Sequence, residues 1–141
     1  MTDTNHGTLI VPALRYEDAR AAIDFLCQAF GFERHLVVEG AGDQIEHAQL
    51  VLGSRMVMLS SRKDGPFDRM LKLASEAGGC TQTIYVIVDD ADAHHTRAAK
   101  AGAELVMPLE DAGYGGRGYT CKDLEGNLWT FGTYNPWTAE H

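Results

Sequence analysis

The sequence is short of the features that most quickly assign a protein to a class. Its three cysteines, Cys27, Cys80 and Cys121, are odd in number, far apart and form no C-x-x-C pair. That excludes a disulfide framework or a zinc knuckle, and unpaired thiols suit a reducing compartment. The longest apolar runs reach about five residues, against the roughly 20 needed to cross a bilayer. Positive charge is scarce: 12 Lys and Arg stand against 20 Asp and Glu, a net charge of −8. An acidic surface repels polyanions, so neither nucleic acid nor an anionic membrane is an expected partner. Arg15, Arg20, Arg34, Arg55, Arg62, Lys63, Arg69 and Lys72 are interleaved with acids and form no basic stripe. Residues 1–7 are polar and lack the basic-then-apolar pattern of a secretory leader. The expectation is a soluble, cytoplasmic protein.

What is present describes a folded domain. The chain has 141 residues, of which 45% are apolar, 23% charged and 9% aromatic. That length is about one ordinary domain and buries a core without help from disulfides or metal.

Periodicity then shows organisation. Residues 9–14 read as a short apolar strand. Asp18 is placed to cap a helix whose apolar stripe is Ala19, Ala22, Ile23, Phe25, Leu26, Ala29 and Phe30, and Gly31 stops it. Residues 32–38, 45–52 and 56–60 read as strands, the last two joined by a turn at Gly53-Ser54. Residues 61–79 form a linker with a short helix over 67–77, and the pattern then restarts. A β-branched strand covers 81–88, and Asp89-Asp90 opens a helix with Ala91, Ala93, Ala98, Ala99 and Ala101 on its small face. Gly102 closes that helix, and strands follow at 104–109, 117–122 and 128–134.

Asp18 and Asp89, Gly31 and Gly102, and Glu33 and Glu104 are each 71 positions apart, while Gly53 and Gly126 are 73 apart. These landmarks predict an internal repeat, although caps and stops at similar spacing also arise from a generic strand–helix–strand order. Three consecutive strands after each helix argue for antiparallel sheet over a doubly wound fold. The expected architecture is α+β: two tandem βαβββ modules forming curved mixed sheets within one domain over 1–141. Module one covers about 8–60, the linker 61–79 and module two about 80–135. One helix covers one face of each small sheet. The other face is a cup that closes either within the chain or across a dimer, and such concavities favour ligands.

Three segments carry a family resemblance: YEDARAAIDFLCQAFGFE from Tyr16, IYVIVDDADAHHTRAAKAGAE from Ile84 and RGYTCKDLEGNLWTFGTY from Arg117. Together they resemble the glyoxalase/bleomycin-resistance/extradiol-dioxygenase (vicinal oxygen chelate) superfamily over nearly the whole chain. The closing turn departs from that pattern at Leu124, where the family has Pro. Its members include lyases, dioxygenases, antibiotic-modifying transferases, epimerases and metal-free antibiotic-sequestering proteins, so fold alone does not choose an activity. The resemblance implies a divalent metal held by His, Gln or Glu from the first and last strands of each module. By the motif register those positions fall on Val11, Thr83, Thr130 and, near it, Val57. Valine has no donor atom and a neutral threonine hydroxyl is a poor ligand. Among the neighbours Ile10, Pro12, Gln82, Ile84, Trp129 and Phe131, only Gln82 has a suitable atom. The expectation is a member without the chelate, with no cofactor and no metal.

The remaining candidates are graded by pattern. In strand 45–52, His47 and Gln49 alternate with Ala48 and Leu50, which predicts that the first two point into the cup. There His47 would bond a ligand or act as general base; alternatively it is an exposed edge histidine. His94-His95, adjacent on a helix, point apart and read as solvated surface. Trp129 and Phe131 read as core if Thr130 faces the cup, while Tyr119, Tyr134 and Met58 read as apolar ligand walls. The glycine-dense loop before Arg117 lacks the ending of a phosphate loop, and Arg117 would clamp an anion at the cup mouth or merely cap its strand. The predicted cleft residues are thus His47, Gln49, Met58, Thr83, Arg117, Tyr119 and Thr130. The function this implies is sequestration of a small apolar or aromatic ligand by a homodimer. The alternative is an enzyme with relocated ligands (His47, Glu46, Glu125) or with His47 as base.

Overall fold

A computed structural model of the chain describes residues 9–138; the stretch read above for a leader, 1–7, lies outside them. The first module comprises β1 (Ala13–Tyr16), α1 (Ala19–Phe30), β2 (Glu33–Glu39), β3 (Ile45–Leu52) and β4 (Arg55–Ser61). A 3-10 turn (Asp68–Met70) and a one-turn helix α2 (Ala74–Ala77) lead to the second module. That module comprises β5 (Ile84–Ile87), α3 (Ala91–Lys100), β6 (Glu104–Asp111), β7 (Arg117–Lys122) and β8 (Leu128–Gly132). The strands make two four-stranded sheets, β1-β4-β3-β2 (sheet A) and β5-β8-β7-β6 (sheet B). In each, the first and last strands of the module pair in parallel and the other pairs are antiparallel.

Helix α1 forms as its residues dictate. The Asp18 carboxylate accepts from the Ala21 amide at 3.1 Å, satisfying one of the donors that a helix start leaves without a partner. Gly31 ends the helix at φ +85°, and its amide returns to the Cys27 carbonyl at 3.2 Å. The buried residues of α1 are the seven read from the stripe, and Leu26 and Phe30 are fully enclosed. Each such side chain contributes about 1.5–3 kcal/mol by leaving water.

The second helix differs by one residue from its predicted start. Asp90, not Asp89, caps it, because its carboxylate reaches the Ala93 amide at 3.0 Å. The cap-to-cap spacing is therefore 72 positions, and α3 has 10 residues where α1 has 12. Only Ala91 and Ala98 of its small face are buried.

The first strands of both modules begin later than expected. β1 starts at Ala13, which pairs with Met58, and Leu9 and Ile10 are exposed. Pro12 contributes only its carbonyl, which accepts from the Met58 amide at 2.9 Å. β5 begins at Ile84 and β8 ends at Gly132.

The two modules share one core. Phe30 of α1 lies 4.6 Å from Phe131 and 5.3 Å from Trp129, ring to ring, both on β8. A polar joint reinforces this: Asp123 accepts from the Tyr16 hydroxyl at 2.6 Å and from Trp129 Nε1 at 3.1 Å. In the same turn the Glu125 carboxylate takes the Glu17 and Asp18 amides at 2.7 and 2.8 Å. The closing turn of module two thus holds the start of α1.

Candidate functional site

Both sheets are closed on the helix side and open on the other. Ala48, Leu50, Val57 and Leu59 of sheet A, and Tyr119, Cys121, Trp129 and Phe131 of sheet B, are all 3% exposed or less. The alternate residues His47, Gln49, Val51, Met56, Met58 and Thr130 are half-buried, and Leu36, Val38, Tyr85 and Met107 are 39–54% exposed.

On the open face of sheet A, Val38 lies opposite His47, Leu36 opposite Gln49, and Gln49 opposite Met58. A register shift between Arg34 and Leu36 inserts His35 as an extra residue. Such a bulge re-aims a side chain, and His35 Nδ1 meets Gln49 Oε1 at 3.1 Å. On the far side of the amide, Gln49 Nε2 donates to His47 Nε2 at 3.1 Å. The result is a chain of two imidazoles bridged by one amide, of which His35 was missed at the sequence level because a bulge leaves no periodic trace. Toward the linker, Arg15 lies opposite Ser60, reaches Asp68 at 3.1 Å and places its guanidinium 5.4 Å from the Phe67 ring centre.

On the open face of sheet B, Thr130 lies between Tyr85 and Thr120, with the two threonine hydroxyls 2.7 Å apart. Trp129 and Phe131 lie behind it in the core. Tyr85 lies across Gly132, where a Cβ would come within 2.7 Å of its hydroxyl, and it donates to the Tyr134 carbonyl at 2.7 Å. Tyr134 packs edge-on to Tyr114 at 4.8 Å in the loop region. Thr83 precedes β5 and is exposed.

Two predicted cleft residues face the other way. Tyr119 pairs with Phe131, and antiparallel partners share a face, so it belongs to the core and is 2% exposed. Arg117 turns toward α3 and bonds Asp92 at 2.7 Å and Asp111 at 3.3 Å, which engages its charge within the chain. His47, Gln49 and Met58 are brought together on sheet A. Thr130 is on sheet B, and Thr83 stands apart from both groups.

The chelate positions can now be read from pairing. Ala13 pairs with Met58 and Tyr85 with Thr130, so Met58 is the structural mate of Thr130. Val57 points into the core, a correction of one residue. The four positions then carry a hydrocarbon (Val11), a thioether (Met58) and two hydroxyls (Thr83, Thr130). A catalytic divalent ion requires converging carboxylate or imidazole donors, and this set does not fit one. The spare donors do not converge either. Glu46 binds Lys63 at 2.5 Å, Glu125 caps α1, and His47 bonds Gln49. Among the described residues no three of His, Cys, Asp and Glu form a metal-holding group.

His94 corrects a second reading. It is half-buried, stacked on Phe131 at 4.1 Å, with Nδ1 2.6 Å from the Tyr119 hydroxyl and Nε2 2.8 Å from the Phe30 carbonyl. The carbonyl only accepts, so Nε2 carries the proton and the hydroxyl donates to Nδ1. Burial pushes the His94 pKa below its ordinary value of 6.5, and Arg97 adds to that shift against the Phe30 hydrogen bond. Arg97 donates to the Gln28 and Cys27 carbonyls at 2.9 and 3.1 Å, so α3 closes the C-terminus of α1. The pocket for this imidazole is supplied by Phe30, 64 positions away, so the helix pattern alone gave no sign of it.

Two clefts mark the junction of the modules. The larger, about 670 Å³, is lined by Pro12, Phe32, Met56, Tyr85, Ile87 and Trp137 among others. The smaller, about 280 Å³, lies between Arg55, Asp89, Asp90, His94 and Arg97. None of the seven predicted cleft residues lines either of them.

Comparison with known proteins agrees with this architecture. An uncharacterized protein of Mycobacterium bovis is 34% identical over 121 residues, which cover 86% of this chain and 80% of that protein. TioX from Micromonospora sp. ML1 is 36% identical with a TM-score of 0.69, covering 92% of this chain and all of the other. The fosfomycin resistance protein FosX from Mesorhizobium loti shares the fold at 15% identity, with a TM-score of 0.66 over 93% of this chain and 94% of its own. The family model of the glyoxalase/bleomycin resistance protein/dioxygenase superfamily matches residues 8–131, and the chain belongs to that superfamily.

Proposed function

We propose that this protein binds a small apolar or aromatic molecule on the open faces of its sheets, without a metal, as a homodimer in the cytoplasm. The observation that carries the reading is the asymmetry of the sheets: each buries one face in the shared core and leaves the other open, with Met56, Met58, Val51, Leu36, Val38 and Tyr85 on the open sides. Apolar surface left on an open sheet face favours a ligand or a second chain. The donor set at Val11, Met58, Thr83 and Thr130 supports a metal-free site, because nothing there completes a coordination sphere. The cleft of about 670 Å³ at the module junction borders the open faces only at Met56 and Tyr85 and is distinct from the His47, Gln49 and Met58 surface. The exposure of Tyr85 and Met107 supports the dimer, in which a second copy would cover them. Among the described residues no helix is long and apolar enough to cross a membrane.

Thermal denaturation with and without naphthalene tests this function. A ligand held at 100 times its Kd stabilises by about 2.7 kcal/mol, which raises the midpoint by several degrees. No shift with naphthalene or any other neutral aromatic probe would refute the reading. Light scattering at micromolar concentration tests the dimer, and a monomer mass would refute that part alone.

A further inference from the structure

The ligand class follows from the polar groups beside the proposed apolar site, on which it rests. We propose that the His35–Gln49–His47 chain is the polar end of that site, and that it selects aromatic ligands carrying a neutral donor–acceptor edge, such as a carboxamide. A primary amide has one accepting end and one donating end. Gln49 Oε1 accepts from His35 Nδ1, while Gln49 Nε2 donates to His47 Nε2. A neutral imidazole has one nitrogen of each kind. His35 is therefore left with Nε2 as an acceptor, and His47 with Nδ1–H as a donor. Among the described residues no other hydrogen bond engages those two atoms. Turning the amide of Gln49 over reverses both roles together, so the pair presents one donor and one acceptor in either state.

The surroundings set the rest of the ligand. Leu36, Val38 and Met58 lie directly across from Gln49 and His47 on the same face, and Val51 continues it. Among the described residues no carboxylate or guanidinium bonds any of the three polar side chains. The face thus offers an apolar bed beside an edge of imidazole and amide groups. A hydrocarbon laid on it takes water from the free imidazole nitrogens and replaces no hydrogen bond, whereas a carboxamide replaces one, by donating to His35 Nε2 or accepting from His47 Nδ1.

Isothermal calorimetry with naphthalene and naphthalene-2-carboxamide, on the full chain at neutral pH, tests the proposal. The carboxamide is expected to bind about tenfold more tightly, a difference on the order of one net hydrogen bond. In Gln49→Leu, and independently in His47→Phe, that ratio is expected to fall to about one. In the unmodified protein, the carboxamide is expected to move the imidazole proton resonances of His35 and His47. Equal affinity for the two probes would overturn this proposal while leaving the apolar site standing, and binding of neither probe would overturn both. A tenfold preference that persists in both variants would also overturn it, because the selectivity would then arise elsewhere.

Discussion

Met58 and Leu59 are neighbours in β4, yet they belong to different environments. Leu59 is 1% exposed and packed in the core, while Met58 stands half-buried on the open face opposite Gln49. Thr130 and Trp129 repeat the contrast in β8. A single residue step, half the strand period, separates a residue that holds the fold from a residue available to a ligand. Stability and binding can therefore be perturbed separately, from either side of the same strand.

The largest effect is expected at the closed face. Trp129→Ala removes a fully buried ring that contacts Phe30, Phe32 and Phe131, and should cost about 3–5 kcal/mol in chemical denaturation. Met58→Ala, on the open face, should cost under about 1 kcal/mol and instead reduce the thermal shift given by naphthalene. A large stability loss at Met58 would break the distinction between the faces.

Asp123→Ala comes next. It strips partners from the Tyr16 hydroxyl, Trp129 Nε1 and the Glu125 and Asn127 amides, for a loss of about 3 kcal/mol. The buried Tyr16 hydroxyl already has its pKa raised, by burial first and by the Asp123 charge second.

Tyr119→Phe should cost about 1 kcal/mol by removing the hydroxyl that donates to His94. The same imidazole gives a pH signature. Its folded pKa is lowered, so the unfolded chain takes up the proton first and stability falls as pH drops below about 6.5. Denaturation midpoints measured from about pH 7 to about pH 5 should decline less steeply in His94→Gln than in the parent. An unchanged slope would mean that His94 does not titrate with unfolding. The smallest effect belongs to Arg117→Ala, whose ion pairs with Asp92 and Asp111 are exposed, and which should leave the melting midpoint essentially unchanged.

The sequence made the helices and the strand order legible because those depend on local signals. Asp18, the apolar stripe of α1 and Gly31 specify that helix without reference to anything distant. The first strands were less legible: β1 begins where Met58 becomes available to pair with Ala13, and that is a long-range fact. The alternation of His47 and Gln49 with Ala48 and Leu50 was visible in β3, since period-two burial is written in one strand. The face of Tyr119 is set by its pairing with Phe131, and the hairpin register is not local information. His94 looked like solvated helix because its partners, Phe30 and Tyr119, come from another helix and a strand. His35 needed the bulge in β2, which only the paired strand reveals.

The proposed metal-free site has Val11, Met58, Thr83 and Thr130 at the four positions where the family resemblance places a chelate. The most direct measurement is metal analysis by plasma mass spectrometry on protein expressed in metal-replete medium and purified without chelator. Metal far below one ion per chain is expected, with naphthalene binding unaffected by added EDTA. Stoichiometric nickel, zinc, manganese or iron, lost together with ligand binding on chelation, would contradict it.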